Sequence, residues 1–124
     1  MSKENPQKII VLGMGGTIAG MASNPENPKE YKAGTLGLAD LMGGLGLSNA
    51  VHTELRNVAQ INSKDMQASH WQALLSAVDV ANQDPQARAI VITHGTDTLE
   101  ETACLLELMG PWSKPVVLTC AMLP

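Results

Sequence analysis

The sequence predicts an α/β domain: a parallel sheet with flanking helices, in a Rossmann-like three-layer arrangement. Three observations carry that expectation. Short apolar runs at 8–12 and 89–92 have the character of strands buried on both faces, the kind parallel sheets use, and 115–119 is a further strand-like run. Between the second and third runs, and before the second, apolar residues recur at the three-and-four spacing of helices with one buried face. Strands alternating with helices imply right-handed crossovers, which gather the loops at the strands' C-terminal ends into one working edge.

The elements follow in order. Lys8-Ile9-Ile10-Val11-Leu12 gives a first strand closed by Gly13 and followed by the glycine turn Gly15-Gly16. Pro25 and Pro28 forbid a regular helix in the Asn-, Pro-, Glu- and Lys-rich stretch from Met21 to Lys32, which reads as a long exposed loop. Leu38, Leu41, Met42 and Leu45 predict a short helix within Leu36 to Leu47, although Gly43, Gly44 and Gly46 each weaken it by about 1 kcal/mol relative to Ala. Val51 to Ile61 reads as a second strand ending at Asn62-Ser63. Trp71, Leu74, Leu75, Val78 and Ala81 mark one face of a helix that Asp84-Pro85 ends. Ala89 to Ile92 forms a third strand. Thr98 with Glu101 has the pattern of a capping box at the start of a helix running to Gly110, before Pro111. Pro115 to Thr119 is the fourth strand.

Composition narrows the function classes. The 124 residues are 44% hydrophobic, with 8 Lys and Arg against 12 Asp and Glu, which describes one mildly acidic domain over residues 1–124. Phe is absent and aromatics total 2%, so the core must come from Val, Ile, Leu, Met and Ala, with Trp71 and Trp112 as the large fillers. Without aromatic faces or a basic stripe, a nucleic-acid partner is not expected. No apolar run has the length of a membrane helix, and the apolar stretch after the polar segment 1–8 is too short for a secretion signal. Cys104 and Cys120 lie in apolar runs as small fillers rather than as a disulfide framework, and a cytoplasmic setting follows as the expectation.

Three loops leave the C-terminal ends of predicted strands: Gly13-Met14-Gly15-Gly16-Thr17, Asn62-Ser63-Lys64-Asp65 and Thr93-His94-Gly95-Thr96-Asp97. Gly15-Gly16 permits a tight turn that presents backbone N–H groups, and Thr17 adds a hydroxyl. A threonine hydroxyl is a poor nucleophile unless a partner takes its proton, and Asp97, Lys64 and Tyr31 are the ionisable candidates. The glycine loop alone is a weak signal. Ile18 stands where the dinucleotide fingerprint needs its third glycine, and the lysine of a phosphate-binding loop is missing, which leaves a nucleotide-binding module as a minor alternative. A Gly-Gly turn can also be merely a turn, and Asp97 beside Thr98 can serve only to favour a helix N-terminus.

Taken together the motifs resemble the L-asparaginase family of bacterial-type amidohydrolases, related to glutaminase. Gly15-Gly16-Thr17-Ile18-Ala19-Gly20 is similar to its first signature, and the stretch from Thr93 through His94-Gly95-Thr96-Asp97-Thr98 to Thr102 is similar to its second. Ile61-Asn62-Ser63-Lys64-Asp65-Met66 stands where the family has its substrate-binding Ser loop, and Lys114 to Pro124 is similar to the following strand. The resemblance implies the N-terminal catalytic domain of the asparaginase fold, incomplete here. It implies hydrolysis of L-asparagine to aspartate and ammonia through an acyl-enzyme, with Thr17 as nucleophile and Tyr31 beside it, and with Thr96 as a second catalytic threonine next to Asp97. Ser63 and Asp97 would hold the substrate's α-carboxylate and α-ammonium, and Lys64 is a further binding candidate. Backbone N–H groups of Thr17 and Thr96 would face the oxyanion. His94 would shape the loop, and His52, His70 and Glu100-Glu101 would be structural or solvated.

The resemblance implies no metal and no organic cofactor. Its implied partners are a small-molecule substrate, L-asparagine or L-glutamine, and a homo-oligomer or complementing chain, with neither nucleic acid nor membrane. Family members are longer, and the lysine that completes the Thr96-Asp97 relay matches no residue here. A catalytically incompetent fragment, or one half of a split enzyme, is therefore the alternative reading. Three positions depart from the family pattern: Met14 for Thr, Cys120 for Gly and Leu123 for Arg. Cys120 is expected to be strained if its backbone needs a positive φ.

Overall fold

The structure, a computed structural model, describes residues 8–15, 21–22, 31–32 and 52–121. Four parallel strands form its sheet: β1 (Lys8–Gly15), β4 (Thr53–Ile61), β5 (Ala87–Thr93) and β6 (Val116–Thr119), in the order β4-β1-β5-β6. Two short strands, β2 (Met21–Ala22) and β3 (Tyr31–Lys32), pair antiparallel in a separate ladder, Met21 with Lys32 and Ala22 with Tyr31. The expectation of an unstructured loop from Met21 to Lys32 is corrected there: the ends of the stretch pair with each other. The predicted helix at Leu36 to Leu47, which would supply the third layer, lies outside the described residues.

β1 is central because its sequence leaves no polar face. Ile10, Leu12 and Met14 point to one side and are at most 1% exposed, while Val11 on the other side is also buried. Helices α1 (Ala68–Gln83) and α2 (Leu99–Met109) both pack on the first of these faces. Leu74, Val78 and Ala81 of α1 and Leu106 of α2 share one core cluster with Ile10, Leu12, Met14, Ile90 and Ile92. Both crossovers, β4 to β5 and β5 to β6, run the same way along the sheet, so right-handed connections must place both helices on one side. Each fully buried Leu, Ile, Val or Met side chain in this cluster contributes about 1.5–3 kcal/mol of transfer free energy.

The helix ends differ from expectation in an instructive way. The capping box predicted at Thr98 does not form, because the Thr98 hydroxyl is turned to another loop and makes no cap hydrogen bond. A capping box forms instead at α1, where Gln67 and His70 satisfy each other's backbone, the Gln67 N–H donating to His70 Nδ1 at 3.0 Å. In the last turn of α1, Asn82 Oδ1 accepts from the Ser113 amide at 3.0 Å, the Ser113 hydroxyl at 3.0 Å and the Lys114 amide at 3.2 Å, tying α1 to the turn before β6.

The sequence departures also resolve. Met14 is a core side chain, and no described residue other than glycine has a positive φ, so Cys120 is not strained. Both cysteines are free, but Cys104 is exposed on α2 rather than packed as a filler. Leu123 lies outside the described residues. At the N-terminal edge of the sheet, Lys8 bridges Glu54 at 2.6 Å and Asp84 at 2.9 Å, and Arg56 joins both acids.

Candidate active site

In chain order the four sheet strands lie 2-1-3-4, so the chain leaves β1 in one direction and returns across it to β5. At such a switch point the loops after the two neighbouring strands part, opening a crevice at their C-terminal ends. Here those are the loops that follow Gly15 and Thr93, flanked by the loop after Ile61. Two of the three expected loops are joined directly. The Asp97 amide donates to Ser63 Oγ at 3.0 Å, and the Thr98 hydroxyl donates to the Ser63 carbonyl at 3.0 Å.

Glycine brings the end of β1 to the same place. Gly15 has φ +92°, and a Cβ there would stand 2.6 Å from both the N and the O of Ile61. The pairing with β4 slips between Gly13 and Gly15, and Gly15 faces Ile61 directly. The freedom of Gly15 is therefore used for an approach to β4's backbone at the threshold of the Ser63 loop, rather than to a ligand.

Ser63 is buried at the start of the 3-10 turn Ser63–Asp65, and Asn62 caps that turn by accepting the Lys64 amide at 3.3 Å. The Lys64 side chain is exposed. Thr96 is half-buried and Asp97 exposed, so the pair stands at the mouth of the edge with Ser63 behind it. Ser63, Thr96 and Asp97 are thus brought to one edge. Thr17 lies outside the described residues, and Tyr31 is described only as backbone in β3. Among the described residues no cluster of three or more His, Cys, Asp or Glu is placed to hold a metal ion. One cavity of about 490 Å³ lies at the far end of α2, between Leu106, Trp112 and Val116, away from these loops.

Sequence reasoning missed a network beneath the Thr96 loop. His94 is fully buried, with Nδ1 2.7 Å from the Gly95 carbonyl and Nε2 2.8 Å from Thr102 Oγ1. Trp71 Nε1 donates to the same Thr102 oxygen at 2.8 Å. Burial is the main cause that pushes the His94 pKa below its ordinary value, opposed by the Gly95 carbonyl and the charge of Glu101. Both ring nitrogens are engaged, so His94 shapes the loop and has no free nitrogen to act as a base. The available signal was Thr102, a polar residue on the buried stripe between Leu99 and Leu106.

Comparison with known proteins agrees with this geometry. The family model described as Asparaginase, N-terminal, matches residues 8–124. The chain is 39% identical over 117 residues to a probable periplasmic L-asparaginase of Haemophilus influenzae, covering 94% of this chain and 33% of that protein. It is 34% identical to the glutaminase-asparaginase of Pseudomonas fluorescens, covering 99% of this chain and 34% of that one. The solved structure of a probable cytoplasmic L-asparaginase from Campylobacter jejuni superposes with a TM-score of 0.82 at 36% identity, over 95% of this chain and 36% of that one. The chain thus spans about a third of the length of the curated relatives it matches. With the family model matched along nearly all of its length, the chain belongs to the asparaginase family, within its N-terminal domain.

Proposed function

We propose that this chain carries the substrate-recognising edge and the threonine nucleophile of an asparaginase-type amidohydrolase acting on L-asparagine. The observation that carries the reading is the bond from the Asp97 amide to buried Ser63 Oγ, which sets the two proposed substrate-holding residues side by side at the sheet's switch point. In this reading Ser63 and Asp97 hold the α-carboxylate and α-ammonium, with Lys64 at the rim. The Thr17 oxygen attacks the side-chain amide carbon, its proton passing to a neighbour among Tyr31, Thr96 and Asp97. That proton passes on to the amide nitrogen as the C–N bond breaks and ammonia leaves; water then attacks the threonine ester, giving up one proton that returns to the Thr17 oxygen as aspartate is released. The backbone N–H groups of Thr17 and Thr96 stabilise the oxyanion, a contribution of several kcal/mol in comparable sites.

L-Glutamine is the second substrate to test, since one relative is named a glutaminase-asparaginase. A homo-oligomer or a complementing chain completes the site, and the reducing cytoplasm is the proposed compartment, supported by two free cysteines. The second reading is an inert fragment or one half of a split enzyme. Ammonia release from L-asparagine, with Thr17→Ala as control, tests the first reading. A folded chain that is silent alone but active with a complementing chain supports the split reading; silence in both refutes the amidohydrolase assignment.

A further inference from the structure

The network behind the Thr96 loop contains groups whose hydrogen-bonding roles are fixed. The Gly95 carbonyl can only accept and the Trp71 indole N–H can only donate. His94 Nδ1, 2.7 Å from that carbonyl, therefore carries a proton. Thr102 Oγ1 receives the indole proton of Trp71 at 2.8 Å, which leaves its own single proton for His94 Nε2, also at 2.8 Å. A neutral ring protonated on Nδ1 satisfies every donor and acceptor in the chain from Trp71 to Gly95, and no buried side-chain polar atom among the described residues is left without a partner.

The Gly95 carbonyl belongs to the same planar unit as the Thr96 N–H. The peptide is trans, since the one cis bond described is Gly110-Pro111, so the N–H points opposite to the carbonyl. Fixing one therefore aims the other. Elsewhere in the loop, the His94 amide donates to Thr119 and the Asp97 amide to Ser63, so the ring clamps the peptide between two other anchored points.

We propose that His94 is a positioning residue: held by the Thr102 hydroxyl and, through it, by the Trp71 indole, it clamps the Gly95–Thr96 peptide plane and so aims the Thr96 N–H into the crevice. The inference rests on the amidohydrolase reading for what that N–H serves, stabilisation of the oxyanion, and on the hydrogen-bond geometry for the clamp itself. It makes the α1–α2 contact part of the site, although neither Trp71 nor Thr102 lies on the loop.

The test uses the full chain labelled with ¹⁵N. Long-range NMR correlations read the His94 tautomer, and residual dipolar couplings read the direction of the Thr96 N–H. The wild type is expected to be protonated at Nδ1 at neutral pH. Thr102→Val keeps the shape but removes the hydroxyl, and should mix the tautomers and reduce the Thr96 coupling by about half or more. Thr102→Ser keeps the hydroxyl and should restore both. In hydrolysis of L-asparagine, Thr102→Val should lower kcat about tenfold or more with little change in KM, the pattern for an interaction realised in the transition state. A wild type protonated at Nε2, or a Thr96 coupling unchanged when the tautomer is lost, overturns the clamp. A wild type with the expected tautomer and coupling but no hydrolysis, alone or complemented, overturns the amidohydrolase reading instead.

Discussion

Ser63 Oγ accepts the backbone N–H of Asp97 at 3.0 Å, across 34 positions of sequence, and this bond joins the loop after β4 to the loop after β5. Ser63 is buried, so removing its hydroxyl leaves the Asp97 amide without its protein acceptor. Ser63→Ala is expected to destabilise the fold by about 1–2 kcal/mol, read as a lower urea midpoint at unchanged slope. A midpoint equal to wild type would mean that the two loops hold together without this bond.

Gly15→Ala tests the other approach. An alanine at φ +92° with its Cβ 2.6 Å from the Ile61 backbone meets both a strained conformation and a contact no real Cβ makes. The expected loss is roughly 2–5 kcal/mol, a large share of the stability of a domain this size. Thermal unfolding monitored by circular dichroism reads it directly.

Met14→Thr restores the residue that the family pattern favours, and is nonetheless expected to destabilise. Met14 is 1% exposed in the core cluster with Ile10 and Leu12, so the change opens space and buries a hydroxyl. A loss of about 2–4 kcal/mol is expected from chemical denaturation. A gain would show that the surrounding core relaxes to accept the smaller side chain.

The pH dependence divides into two acid windows. His94 has its pKa lowered, chiefly by burial, so the stability of its neutral form is present above the ordinary 6.5 and is lost as pH falls from there. Glu54 and Asp84 are lowered, chiefly by their hydrogen bonds to Lys8, and their contribution is lost as pH falls through the carboxylate range. Lys8 is raised, chiefly by Glu54, so its contribution holds below 10.5 and fades above it. The melting temperature should therefore decline first below 6.5 and again in the carboxylate range. Lys8→Met should flatten the second decline and the alkaline one while leaving the first; an unaltered acid profile in that variant would discount the cluster.

Much of this fold was legible in the sequence because β1 is buried on both faces, β5 keeps Ile90 and Ile92 in the core, and the helices bury one face each. The runs Ile9 to Leu12 and Ala89 to Ile92 carry no polar position that would argue for another structure, and Trp71 to Ala81 keeps one apolar stripe. What escaped was set by contacts remote in sequence. Thr98 and Glu101 have the spacing of a capping box, yet the Thr98 hydroxyl finds the Ser63 carbonyl instead, a competition no local pattern records. Met14 read as a departure from a signature and proved to be a core side chain. The site loops were legible as a motif, but the bond between Ser63 and Asp97, and the burial of His94 against Thr102, depend on how β4, β5 and α2 come together.

The placement of β1 has a consequence for how the chain is made. It leaves the ribosome before either of its neighbours in the sheet, yet lies between them: Ile9 pairs with Thr53, and Ile10 pairs with Ile90. At roughly 5–20 residues per second of synthesis, its apolar side chains wait several seconds for β5. During that interval an unpaired strand with the apolar run Ile9 to Leu12 is open to wrong pairing. The arrival of β5, rather than the synthesis of β1 itself, therefore decides when β1 becomes safe from wrong pairing.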